Sequence, residues 1–445
     1  MTAVSLFLSR LVWGPGLVGL ILGAGLFLSI RTGFAQITLF PQALRRFAAA
    51  FRDAGDGAFR SLCTALAATV RTGNLIGVAG AITLGGPGAI FWMWICGFLG
   101  MATKFAEATL AVRFRIQSQG EYFGGPMYMI RTALPEKYHI LGSIYAVFGV
   151  FAAFGVGNAT QINAVTTGVR QVLTTFGLPG NDLLLGLLLA VLVGAVLLGG
   201  AKRIGGTAEF LVPFASLTYI LLACGVLMLR WQAVPGAFLS IVQGAFQPRA
   251  VTGGLVGSWF ACLRTGISRG VFTNEAGMGT ASIAHACAQP AHPVQQGLLG
   301  IIEVFLDTIV ICTLTALAIL VSGIPIPYGV EGDSLTADAF SLVYGPWVRV
   351  ILAACICCFA FATVLGWGLY GARCAQYLLG PGIYPVFAWC QIAVVPLGAV
   401  VDSQIIWSFS ETVNGLMAIP NLIVLVALSR ELGCLTNAYK NIIRP

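Results

Sequence analysis

The chain has 445 residues, of which 58% are hydrophobic and only 9% charged. A water-soluble domain carries roughly 25% charged residues, so this composition excludes an ordinary soluble protein and points to a polytopic membrane protein. The net charge of +8 does not indicate nucleic acid, because the Lys and Arg residues fall in short loops between apolar spans, a pattern that orients a chain in a membrane.

A bilayer core takes about 20 mainly apolar residues per helix. Eleven such segments are predicted, near 11–30, 58–83, 87–112, 140–171, 183–200, 208–229, 254–285, 297–321, 346–374, 383–400 and 406–428, with no soluble domain left over. The first has no small-residue cleavage site after a basic region and reads as a retained span. Arg31, Arg45, Arg46, Arg52 and Arg60 follow the first segment, Arg113, Arg115, Arg131 and Lys137 the third, and Lys202 and Arg203 the fifth. Arg430, Lys440 and Arg444 lie in the tail, whereas the loop after the eighth segment holds Glu331, Asp333 and Asp338. The alternation predicts an N-terminus outside and a C-terminus in the cytoplasm.

Within the second segment, the stretch Ala65 to Gly77 is interrupted by Arg71-Thr72-Gly73-Asn74. Lipid offers no hydrogen bonds to a backbone, so an unwound stretch at membrane depth survives only where it is buried in protein or lines a wet cavity. The seventh segment repeats Arg-Thr-Gly at Arg264-Thr265-Gly266, which predicts a second break there. Gly-interrupted segments in corresponding positions of two halves are a pointer to the binding site of a secondary transporter.

Other chemistry finds little support. Gly85-Gly86-Pro87-Gly88 is a tight turn and not a phosphate loop, since no Lys-Ser or Lys-Thr follows it. Most of the 12 cysteines lie inside apolar spans, where free Cys packs as a small apolar residue. His139, His285 and His292 make no zinc pattern. No nucleophile and base share a local arrangement, so an intramembrane enzyme is not expected.

Several long runs carry a family resemblance: Gly85 to Trp94, Gly100-Met101-Ala102-Thr103-Lys104-Phe105-Ala106-Glu107, Gly124-Gly125-Pro126-Met127-Tyr128, Asn274-Glu275-Ala276-Gly277-Met278-Gly279 with Ile283-Ala284-His285-Ala286, and Asn414 to Asn421. The chain resembles the alanine or glycine:cation symporter family, the bacterial sodium:alanine symporters. The resemblance implies an all-α fold of the leucine-transporter type in a single transmembrane domain spanning 1–445. One extra helix at 11–30 would precede two five-helix halves, 58–229 and 254–428, related by a pseudo-twofold axis in the membrane plane. It also implies import of alanine, glycine or a similar small neutral amino acid by symport with sodium across the bacterial cytoplasmic (inner) membrane, with D-alanine among the candidates.

A zwitterion needs donors for its carboxylate and acceptors for its ammonium, and the two half-helix ends at a break supply both. The expected substrate residues are therefore Thr72, Gly73 and Asn74 on the first break and Thr265 and Gly266 on the second. Asn158 and Gln161, in the family's Gly-Asn-x-x-Gln on the fourth segment, join them; an interhelical hydrogen bond is the other reading of Gln161. Trp367, one turn after Thr363, would form an apolar wall that limits side-chain size.

Sodium wants hard oxygen ligands, and Thr69 and Thr363 are the expected ones. The sequence departs from the family there, with Ala362 in place of the usual Ser and Arg71 in place of Gly. A charge at mid-membrane costs a few kcal/mol, so Arg71 faces a partner or a wet cavity. Three readings stand. Arg71 pairs with a buried acid; it occupies or neighbours the lost sodium position, making the chain sodium-independent, proton-coupled or an exchanger; or it meets a substrate carboxylate. Glu107, Glu209, Glu275, Glu303 and Asp307 are expected to partner Arg264, Arg269 or backbone.

Overall fold

The computed structural model describes residues 11–50, 57–118, 120–248, 252–254, 258–330, 332, 334–401 and 403–443. Arg52, Glu331, Asp333 and Arg444, used above for orientation, lie outside the described residues.

Helix occupies each of the eleven apolar segments. The first is α1 (Pro15–Arg31), started by a proline whose missing N–H costs nothing at that position. The second is broken into α2 (Ala58–Thr69) and α3 (Ile76–Gly85), joined by extended Val70 and Arg71 and a 3-10 turn at Thr72–Asn74. The two pieces meet at 55°. Gly86 ends α3 with φ 75°, a conformation that favours glycine. Then come α4 (Ala89–Arg113), α5 (His139–Phe154) and α6 (Thr160–Thr175), the last two linked by a π-helical segment at Gly155–Ala159. α7 (Asp182–Leu197) and α8 (Gly200–Leu229) follow.

Further along the chain α9 (Trp259–Asn274) and α10 (Thr280–His285) are separated by a second break. Next are α11 (Pro293–Val304) and α12 (Thr313–Ser322), joined by π-helical Phe305–Cys312. The last three are α13 (Val348–Leu379), α14 (Tyr384–Val400) and α15 (Ser403–Ala427). π-Helical turns leave the backbone out of register with its neighbours and concentrate at functional sites. Here both lie at the depth of the breaks, and Asn74 on the first break bonds Asp307 in the second of them.

Among the described residues seven helices are long and apolar enough to cross a membrane, or eight with the bent α2–α3 pair, and α1 and α7 are apolar but shorter. Leu184, Leu188 and Val191 on α7 and Phe210, Phe214 and Leu221 on α8 are exposed. A continuous outward belt of this kind needs an apolar surround. Short helices outside the spans, including Phe40–Ala50, Val234–Phe246 and Leu335–Tyr344, and an antiparallel hairpin of β1 (Ile116–Ser118) and β2 (Glu121–Phe123), complete the surface.

Candidate functional site

Polar side chains converge, fully buried, where the two broken helices meet the π-helical segments. At the first break the side chain of Asn74 stabilises the turn, accepting from the Arg71 N–H at 2.9 Å through Oδ1 while its amide donates to Asp307 Oδ1 at 2.6 Å. Thr308 donates to the other carboxylate oxygen, Asp307 Oδ2, at 2.8 Å. Among the described residues, the Thr72 and Gly73 N–H groups find no backbone or side-chain acceptor, and the Thr69 and Val70 carbonyls receive no donor. Buried backbone groups are almost always paired, so four orphans in one break mark a place built for a ligand with both donors and acceptors.

The Thr72 hydroxyl crosses to α6 and donates to Gln161 Oε1 at 2.8 Å. The Gln161 amide donates in turn to the Val156 carbonyl at 3.0 Å, a carbonyl of the π-helical segment. Gly157 in that segment has no side chain because there is no room for one: a Cβ there would sit 2.2 Å from Trp367 Cβ. Trp367 is thus pressed against the site by α13, and its indole donates to Glu275 Oε1 at 2.9 Å.

The second break falls at Glu275–Gly279, where Glu275, Gly277 and Gly279 all have positive φ. This corrects the expectation of a break at Arg264-Thr265-Gly266. α9 runs unbroken through those residues, and Gly266 lies nine residues, about 13 Å of helix, before Glu275. The tripeptide repeat has a packing cause. A Cβ on Gly266 would meet the Ala89 carbonyl at 2.3 Å, and a Cβ on Gly85 would meet Thr265 at 3.0 Å, so Thr265 and Gly266 let α9 approach the start of α4. Asn158 is also turned elsewhere, donating to the Gln391 carbonyl of α14 at 2.7 Å.

Arg71 is fully buried. Its guanidinium lies 3.2 Å from Glu275 Oε1, donates to the Phe272 carbonyl and stacks 4.2 Å from the centre of the Phe272 ring. It therefore spans the two breaks and pairs with a buried acid, as the first reading of its role held. Of the expected sodium oxygens, the Thr363 hydroxyl faces the Ala67 carbonyl across α2 and α13 and donates to it at 2.7 Å, whereas the Thr69 hydroxyl turns back to its own helix at Ala65. The partner expected for Glu275, Arg264 or Arg269, is replaced by Arg71, and Arg269 pairs with Glu411 instead at 3.2 Å.

Two further buried groups surround this centre. Lys104 pairs with Glu303 at 3.1 Å, and Glu303 also meets His285, whose other ring nitrogen faces Gln296 at 2.7 Å. Glu107 accepts from the Gly277 and Gly279 N–H groups at 2.9 and 3.0 Å and from Asn421 at 2.7 Å, which fixes the second break. Of the partners expected for Glu107, which were Arg264, Arg269 or backbone, the structure shows backbone; the role of Lys104 was missed, although a lysine inside an apolar segment was the available signal.

A helical membrane bundle with two broken helices meeting at a buried polar centre, one of them with bare backbone groups, is a transporter architecture. The fold is shared with a solved structure: the chain matches the crystal structure of MhsT in complex with L-phenylalanine with a TM-score of 0.62 at 15% identity, covering 86% of this chain and 94% of that one. The protein is a membrane transporter that shares the fold of MhsT. More narrowly, it belongs to the sodium:alanine symporter family, which it matches over residues 1–444. It is 42% identical to the sodium/alanine symporter AgcS of Methanococcus maripaludis, over 97% of this chain and 95% of that one. It is 36% identical to the probable sodium/glutamine symporter GlnT of Bacillus subtilis, over 94% and 87%.

Proposed function

We propose that the protein imports small neutral amino acids, alanine and glycine first among them and D-alanine included, by symport with sodium across the cytoplasmic membrane. The observation that carries this reading is the first break, where the free N–H groups of Thr72 and Gly73 lie beside the free carbonyls of Thr69 and Val70. The N–H pair suits a carboxylate at the start of a helical turn, and the carbonyls suit an ammonium. Gln161, held by Thr72, supplies a further donor and acceptor, and Trp367, packed on Gly157, would limit the size of the substrate side chain. Thr265 and Gly266 drop out of this site, their place taken by the Glu275–Gly279 break.

The ion in this reading sits between α2 and α13, where the Ala67 carbonyl and the Thr363 hydroxyl supply hard oxygens and Ala362 supplies none. The helices form one extra span and two inverted halves, 58–229 and 254–428, with the N-terminus outside. A second reading, a sodium-independent or proton-coupled permease or exchanger, is favoured by one observation: Arg71 is a fixed cation at the break itself.

The substrate is tested by measuring protection of the purified protein against heat by alanine, glycine, D-alanine, glutamine and glutamate. Ligands that bind only the folded state raise stability by mass action. Protection by alanine and glycine supports the reading; protection by glutamate alone contradicts it and returns Arg71 to substrate recognition.

A further inference from the structure

We infer that the Arg71 guanidinium is a built-in occupant of an intramembrane cation site formed by the end of α9, and that a monovalent cation binds there when Arg71 is removed. This rests on the transport reading above and adds a site to it. The site has three walls. The Glu275 carboxylate stands 3.2 Å from the guanidinium, the Phe272 carbonyl accepts from it, and the Phe272 ring lies under it at 4.2 Å. Carboxylate and carbonyl oxygens are hard ligands, and an aromatic face attracts a cation electrostatically.

Glu275 is not alone in favouring a cation at this position. Phe272 lies in the last turn of α9, at the negative end of the helix dipole. Its carbonyl is released from the helix because the N–H four residues on, that of Ala276, is taken by Asn274 Oδ1 at 2.9 Å. Arg71 fills this position without saturating itself: its Nε has no hydrogen-bond partner although it is fully buried. The fixed charge spares the chain from recruiting a mobile one at this point, so the native protein moves one cation fewer per cycle than a variant in which the site is open.

The experiment compares wild type, Arg71→Gly and Arg71→Ala, each with and without Glu275→Gln, in proteoliposomes with alanine as substrate. Uptake is followed as sodium is varied against potassium. The expected result is that the apparent order in sodium rises by about one in R71G or R71A, as when a second site is added, and that E275Q in the same chain takes it back. Variants that transport with the wild-type order overturn the inference. Where neither variant transports, stabilisation of the purified protein by sodium over potassium gives the answer: a larger effect than in wild type supports the site, and an equal one overturns it. A wild type indifferent to sodium would refute the sodium coupling proposed above, yet a sodium dependence appearing only in R71G would still support this site.

Discussion

The hydroxyl of Thr72 donates to Gln161 Oε1 across 2.8 Å, and this bond ties the break between α2 and α3 to the π-helical turn before α6. Two irregular backbone segments are thereby held face to face, and neither would survive in lipid alone. Changing Gln161 to Ala is expected to weaken alanine binding by about 1 to 3 kcal/mol, the cost of leaving buried polar partners unsatisfied. Equilibrium binding of labelled alanine to purified protein measures it. Wild-type affinity in Q161A would assign Gln161 to packing.

Gly157→Ala tests the wall opposite. The added methyl would sit 2.2 Å from Trp367 Cβ, so either the indole moves or the π-helical turn does. Overpacking of this kind costs about 1 to 3 kcal/mol. Because Trp367 is also anchored on Glu275 at 2.9 Å, the displacement should reach the site and raise the half-saturation for alanine more than that for glycine. Equal changes for the two substrates would mean that Trp367 does not bound the side-chain space.

Lys104 and Glu303 form a fully buried pair at 3.1 Å. Breaking such a pair by removing one partner costs about 3 to 5 kcal/mol, because the remaining charge stays buried. Lys104→Met should therefore lower the Tm of the detergent-purified protein sharply, and Glu303→Gln added to it should recover most of the loss. A double variant as unstable as the single one would show that Lys104 acts through packing instead.

Gly266→Ala separates packing from substrate contact at the misplaced break. The new Cβ would meet the Ala89 carbonyl at 2.3 Å, a backbone atom that cannot yield, whereas nothing lies within 4 Å of a Cβ on Gly206. G266A should reduce Tm with little change in substrate affinity in whatever fraction folds, and G206A should change neither. Lost affinity at unchanged Tm would restore Gly266 to the binding site.

How much of this was legible beforehand depended on which physical signal each element leaves in the sequence. The spans were readable because the bilayer imposes length and hydropathy, and predicted 87–112 and 383–400 fall within two residues of α4 and α14. The first break was readable because Arg71 and Asn74 put charge and polarity inside an apolar run. The second was misread because the repeated Arg-Thr-Gly resembled it and drew attention from Asn274-Glu275 and the two glycines that take positive φ at the actual break, Glu275–Gly279. The partners of Arg71 were not legible at all. Glu275 is 204 residues away along the chain, and only the packing of α9 against α3 and α4 brings the two breaks together.

The central claim is sodium-coupled amino-acid import, and uptake of labelled alanine into proteoliposomes containing the purified protein tests it most directly. An inward sodium gradient should drive accumulation above the external concentration, and replacing sodium by potassium should abolish it. Equal accumulation in both media would contradict sodium coupling and leave Arg71 as the cation that the transport cycle uses.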